Sequence, residues 1–124
     1  MLSEIKVNTR DRIIEVNSIG IVTESILNNQ MVKIIKLGLE YNIFKVLVDL
    51  TEQIELPPLD IVEKFISNLS GYFIYATCAL PGQKTKDDLI KGASFALNNG
   101  FLVRHFSNRD EAITWLKSKR VCSS

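Results

Sequence analysis

Phe44-Lys45-Val46-Leu47-Val48-Asp49 is the stretch whose reading decides the fold. A short, nearly unbroken apolar run of this kind suits a strand buried on both faces of a parallel sheet. Phe44, Val46 and Val48 favour extended backbone, and Leu47 and Lys45 are the only strong helix formers in the run. Asp49 stands where such a strand would surface. In open α/β sheets the carboxyl ends of strands are where ligands sit. The structural alternative for Asp49 is a carboxylate that hydrogen-bonds nearby loop amides.

Helical patterns flank the run. Upstream, Leu27, Met31, Ile34, Ile35 and Gly38 follow helical spacing, with Thr23 or Ser25 as the cap and Tyr41-Asn42 as the stop. Gly38 inside a helix implies close backbone packing. Further upstream, residues 4–7 and 12–16 alternate in character around Asn8-Thr9-Arg10-Asp11, which reads as a β-hairpin. Its second strand is expected to continue through Gly20-Ile21-Val22, with a bend at Asn17-Ser18.

Downstream, residues 50–56 read as a loop leading to Pro57-Pro58, which suit the first turn of a helix. Leu59, Val62, Phe65, Ile66 and Leu69 form that helix's apolar face, and Ser70-Gly71 stops it. Residues 72–80 are a further strand, broken by Pro81-Gly82. Thr85 and Asp88 open a helix that Asn99-Gly100 closes. Residues 101–106 are the last strand. Asn108 and Glu111 form a capping box for a final helix, with Ala112, Ile113, Trp115, Leu116 and the stem of Lys119 facing the core. The order is ββαβαβαβα. It predicts an α/β fold with a mixed, mostly parallel five-stranded sheet and right-handed crossovers.

The 124 residues fit a single domain, 1–124, with one core. Fifteen basic and 14 acidic residues leave a net charge of +1, which argues against a dedicated nucleic-acid or anionic-membrane binder. Tyr72, Phe73 and Tyr75 lack the basic interleaving of a base-stacking surface. Cys78 lies in an apolar run and reads as a core residue, Cys122 lies in a polar tail, and nothing pairs them. This usage suits the reducing cytoplasm. Met1-Leu2-Ser3-Glu4 turns polar at once, so no signal peptide is expected, and no apolar run is long enough to span a bilayer.

Little in the chain supports catalysis. Gly82-Gln83-Lys84-Thr85 lacks the glycine spacing of a phosphate loop, so it reads as a solvated turn with at most weak anion attraction. A phospho-accepting receiver domain would pair Asp49 with two acids after the first strand, and no such pair is there. His105 is the single histidine and reads as a core or edge residue. Asp87-Asp88 and Asp110-Glu111 complement helix dipoles. Catalytic residues, metal ligands and cofactors are therefore all expected to be none. A cryptic enzyme would need Asp49 and His105 in one cleft.

The element order, Val46-Leu47-Val48-Asp49-Leu50-Thr51, and the closing run from Val103 through Ser107-Asn108-Arg109-Asp110-Glu111 to Trp115-Leu116 resemble SpoIIAA-like proteins. These are relatives of the STAS domains of sulfate transporters and anti-sigma-factor antagonists. The resemblance covers most of the chain and rests on packing signatures. It implies a small non-catalytic module. Antagonists of that group carry a phosphorylatable serine followed by glycine where the helix after the central strand begins. Here that region reads Leu56-Pro57-Pro58-Leu59-Asp60, and Thr51 matches only the earlier part of the pattern, so the switch does not carry over.

The expected function is a non-enzymatic cytosolic binding or regulatory module for a protein partner or small molecule. Its expected surface is the rim of Asp49, Thr51, Glu52, Pro81, Gly82, Lys84, Ser107 and Arg109. The alternative is a binder of a small apolar ligand or lipid beneath the 50–56 loop. The edge of the hairpin offers a route to a homodimer.

Overall fold

In the computed structural model the 44–49 run lies within the third strand of a five-stranded sheet. The structure describes residues 4–55, 59–70, 73–78 and 103–119. The elements are β1 (Glu4–Asn8), β2 (Ile13–Ile21), α1 (Glu24–Tyr41), β3 (Lys45–Glu55), α2 (Leu59–Ser70), β4 (Ile74–Cys78), β5 (Val103–Phe106) and α3 (Arg109–Ser118). The Pro57-Pro58 turn, the Pro81-Gly82 break, the helix expected over 85–97, its Asn99-Gly100 cap, and Cys122 lie outside the described residues.

The strands lie in chain order, β1-β2-β3-β4-β5. β1 pairs antiparallel with β2, and the other neighbours pair parallel. The expected mixed, mostly parallel sheet opening on a hairpin is therefore found. Alternation along the strands builds two apolar faces. On one face, Ile14, Val16, Val46, Val48 and Tyr75 pack with Leu27 and Ile34 of α1 and Phe65 of α2. On the other, Ile13, Leu47, Ala76 and Cys78 pack with Ala112 and Leu116 of α3. Full burial of side chains such as Ile34 and Leu116 contributes about 1.5–3 kcal/mol each.

Local chemistry sets the helix ends. Thr23 Oγ1 accepts from the Ile26 amide at 3.3 Å and caps α1. Asn42 ends it in the left-handed region at φ 56°, a conformation asparagine tolerates. Gly38 lies where a Cβ would come within 2.7 Å of the Phe73 ring and 2.9 Å of the Ile43 carbonyl oxygen. The close packing expected at that glycine is present. Asn108 Oδ1 accepts from the amides of Asp110 at 2.8 Å and Glu111 at 3.2 Å, starting α3 where the capping pattern placed it.

One expectation is corrected. Residues 50–55 are not a loop, because β3 runs on to Glu55. Beyond Asp49 the strand pairs with β2, through Ile19↔Glu52, Gly20↔Gln53 and Ile21↔Glu55. That pairing holds the backbone extended while side chains such as Glu52 reach solvent. The apolar signature therefore stops before the strand does.

Candidate functional site

The pleat carries Glu15 and Asn17 of β2 and Asp49 of β3 to the face covered by α3. Glu15 is registered with Leu47, and Asn17 with Asp49. Register shifts between Asn17 and Ile19, and again between Gly20 and Ile21, open the β2–β3 pair at the bend expected from Asn17-Ser18.

Arg109, the first residue of α3, reaches across this gap. Its Nη1 donates to Asp49 Oδ2 at 2.5 Å and to Asn17 Oδ1 at 3.2 Å, and its Nη2 donates to Glu15 Oε1. The other Glu15 oxygen accepts from Asn8 Nδ2 at 2.9 Å. Asp49 Oδ1 accepts from the amide and the hydroxyl of Thr51, at 3.0 and 2.7 Å. The structural alternative for Asp49, bonds to local backbone, therefore holds together with an ion pair. At the other end of α3, Lys117 approaches Asp11 at 3.6 Å.

These contacts set the protonation states. Burial pushes the Asp49 carboxyl up. The hydrogen bonds from Thr51, with the bond and charge of Arg109, outweigh burial and hold it below the usual carboxylate range. Burial likewise works against the charged form of Arg109, and its two carboxylate partners more than offset it. Burial, reinforced by the Asp49 charge, pushes the Cys78 thiol up to about 11. Asp49 is thus a committed carboxylate and Cys78 a committed thiol.

Around the clasp lies an open hollow of about 130 Å³ lined by Asn17, Ser18, Asp49, Thr51, Glu52 and Arg109. It continues into a shallower trough of about 480 Å³ reaching Cys78, Ser107, Asn108 and Asp110. Of the expected rim residues, Asp49, Thr51, Glu52, Ser107 and Arg109 line this continuous surface. Pro81, Gly82 and Lys84 lie outside the described residues. Sequence reasoning missed Glu15, Asn17 and Ser18. The available signal was a carboxylate at Glu15 between Ile14 and Val16: in a central strand with α3 above it, that charge requires a partner.

Asp49 and His105 do not meet. Asp49 is registered with Cys78, and Cys78 with Phe106, so these three share the α3 face. His105 is registered with Thr77 on the α1–α2 face, where its Nδ1 lies 2.8 Å from Thr77 Oγ1. A catalytic pair built from these two residues is excluded by the pleat. Among the described residues no group of three or more His, Cys, Asp or Glu side chains is arranged to hold a metal ion, and no helix is long and apolar enough to cross a membrane.

No family model and no curated protein matches the sequence. Among solved structures, the chain is similar to the crystal structure of an uncharacterized protein of the DUF3478 family, with a SpoIIAA-like fold, from Shewanella loihica PV-4. The match has a TM-score of 0.59 and 16% identity, and covers 92% of this chain and 91% of that one. At that identity the likeness is one of fold: the chain is an α/β protein with a SpoIIAA-like fold, as the resemblance implied.

Proposed function

We propose that this protein is a non-enzymatic binding module acting in the cytoplasm, with the rim around the Arg109 clasp as its working surface. The observation that carries the reading is the convergence of Glu15, Asp49 and Arg109, from three separate elements, beside an open hollow midway along β2 and β3 whose trough reaches the carboxyl end of β5. Strand ends of this kind are where open α/β sheets receive ligands. The chemistry at the rim favours recognition over bond-making. Asp49 is tied up as an ion-paired carboxylate, Cys78 is a weak nucleophile at neutral pH, and His105 sits on the far face. A buried free thiol at Cys78 suits a reducing compartment. Residues 56–60 hold no serine or threonine, so a phosphoserine switch at that position forms no part of the proposal.

The test is an amide NMR titration of the whole chain against a set of small anions, cations, nucleotides and apolar fragments. Binders are expected to shift Asn17, Ser18, Asp49, Thr51, Glu52, Ser107 and Arg109. Binders that shift only the β1 edge or the outer face of α1 would refute the site.

A further inference from the structure

We propose that the protein pairs with a second copy of itself through the outer edge of β1, in one particular register. Among the described residues β1 has β2 as its only neighbour in the sheet, so half of its amide and carbonyl groups face outward. Sheet edges are commonly closed to partners by proline, by a bulge or by charge pointing inward. β1 has no proline, pairs with β2 without a register shift, and carries its two charges, Glu4 and Lys6, on exposed side chains.

The strand is complementary to itself in one register. Directly opposed residues of an antiparallel pair share a face, and a slip by one residue sets apolar side chains against charged ones. Each residue at the centre of an allowed register therefore meets its own copy. Centred on Glu4 or on Lys6, like charges meet across the axis. Centred on Val7, Lys6 meets Asn8, and Glu4 falls beyond the end of the partner strand. Centred on Ile5, Glu4 lies opposite the partner's Lys6 and Lys6 opposite the partner's Glu4, so a two-fold axis makes the ion pair twice. Lysine on an edge ordinarily guards against pairing. Here Lys6 disfavours the other registers and Glu4 turns it into a selector for this one.

Both charges are available. Among the described residues neither Glu4 nor Lys6 has an ion-pair partner in its own chain. Glu15, registered with Lys6 on β2, already gives its two oxygens to Arg109 and Asn8. The opposite face of the strand fits as well. Ile5 and Val7 are half-buried and pack against the core beneath α1. An axis perpendicular to the sheet through Ile5 keeps that face continuous, sets Ile5 against the partner's Ile5, and places Val7 on the diagonal to it. The two sheets join edge to edge. The contact is short, so the dimer is expected to be weak and concentration-dependent.

Sedimentation velocity of the full chain across the micromolar range tests this, and the mass is expected to rise from one chain toward two. Glu4→Lys and Lys6→Glu should each weaken dimerisation by about tenfold or more, because either change sets like charges at both pairs. The two single variants mixed together should form a heterodimer, and the double swap should recover the homodimer. Glu4 is exposed and registered with Asn17, so Glu4→Lys should fold. A readout independent of charge is cross-linking: in a Cys122→Ser background, Ile5→Cys should oxidise to a linked dimer faster than Val7→Cys. A monomer at every concentration, or a dimer indifferent to both charge variants, would overturn the proposal. So would failure of both the mixture and the double swap to restore pairing, or Val7→Cys linking as fast as Ile5→Cys.

Discussion

Replacing Arg109 with methionine removes the clasp between α3 and the sheet while keeping much of the side chain's apolar stem. The guanidinium makes two charge-assisted bonds, to Glu15 and Asp49, and one to Asn17. The Arg109 side chain is 33% exposed, against 17% for Glu15 and 12% for Asp49. Exposed pairs contribute up to about 1 kcal/mol, and breaking a fully buried pair costs about 3–5 kcal/mol. Partial burial places this site between the two, at about 2 kcal/mol. At about 2.1 cal/mol/K per residue the 124-residue chain has an unfolding entropy of about 0.26 kcal/mol/K, so Tm should fall by about 8 °C near neutral pH.

The pH dependence supplies a second, stricter check. The folded Asp49 carboxyl titrates below its unfolded value, so the stability it confers is complete above about pH 4 and is lost as pH falls through the lower folded value. The gap between wild type and Arg109→Met should therefore be widest near neutrality and shrink toward about pH 3. Circular dichroism melts across that range measure it. A variant that melts with the wild type at neutral pH would refute the reasoning. So would a gap that stays constant on acidification, since that would mean the side chain's packing mattered and its charge did not.

Three further outcomes are expected. Gly38→Ala should lower stability by about 1–3 kcal/mol in urea unfolding despite alanine's better helix propensity, because the added methyl meets the Phe73 ring and the Ile43 carbonyl; an unchanged or raised midpoint would contradict that packing. Gln30→Met should raise stability by about 1 kcal/mol, since Gln30 is buried with neither Oε1 nor Nε2 bonded among the described residues, and a lowered midpoint would show that the amide has a partner. In a Cys122→Ser background, iodoacetamide should alkylate native Cys78 at least about a hundredfold more slowly than an ordinary thiol at pH near 8, given a value raised from 9.0 to about 11; comparable rates would refute it.

The sheet was legible in the sequence because its strands announce themselves twice, by β-branched apolar runs and by the caps of the helices between them. Thr23, Asn42 and Asn108 act at the positions their side-chain chemistry dictates. The second half of β3 was not legible, because Thr51 and Glu52 carry the composition of a loop and are held extended by pairing with β2. Half of the site was equally hidden. Asp49 and Arg109 could be placed on the rim from their own elements, but Glu15 was only one polar residue in a hairpin strand of alternating character. Only the position of β2 inside the sheet, with α3 laid across it, shows that its carboxylate faces Arg109.

The sequential strand order carries a consequence for how the molecule comes together. Each strand docks beside the one translated just before it, so the entropy of chain closure is met in modest steps and assembly can proceed from the amino terminus onward. The Arg109 contacts break this rule, linking residues separated by 94 and 60 positions. They should lock last, after the pleated platform exists. The hollow around the clasp would then be the final part of the molecule to mature, and a slow phase in refolding kinetics, lost in Arg109→Met, would mark its arrival.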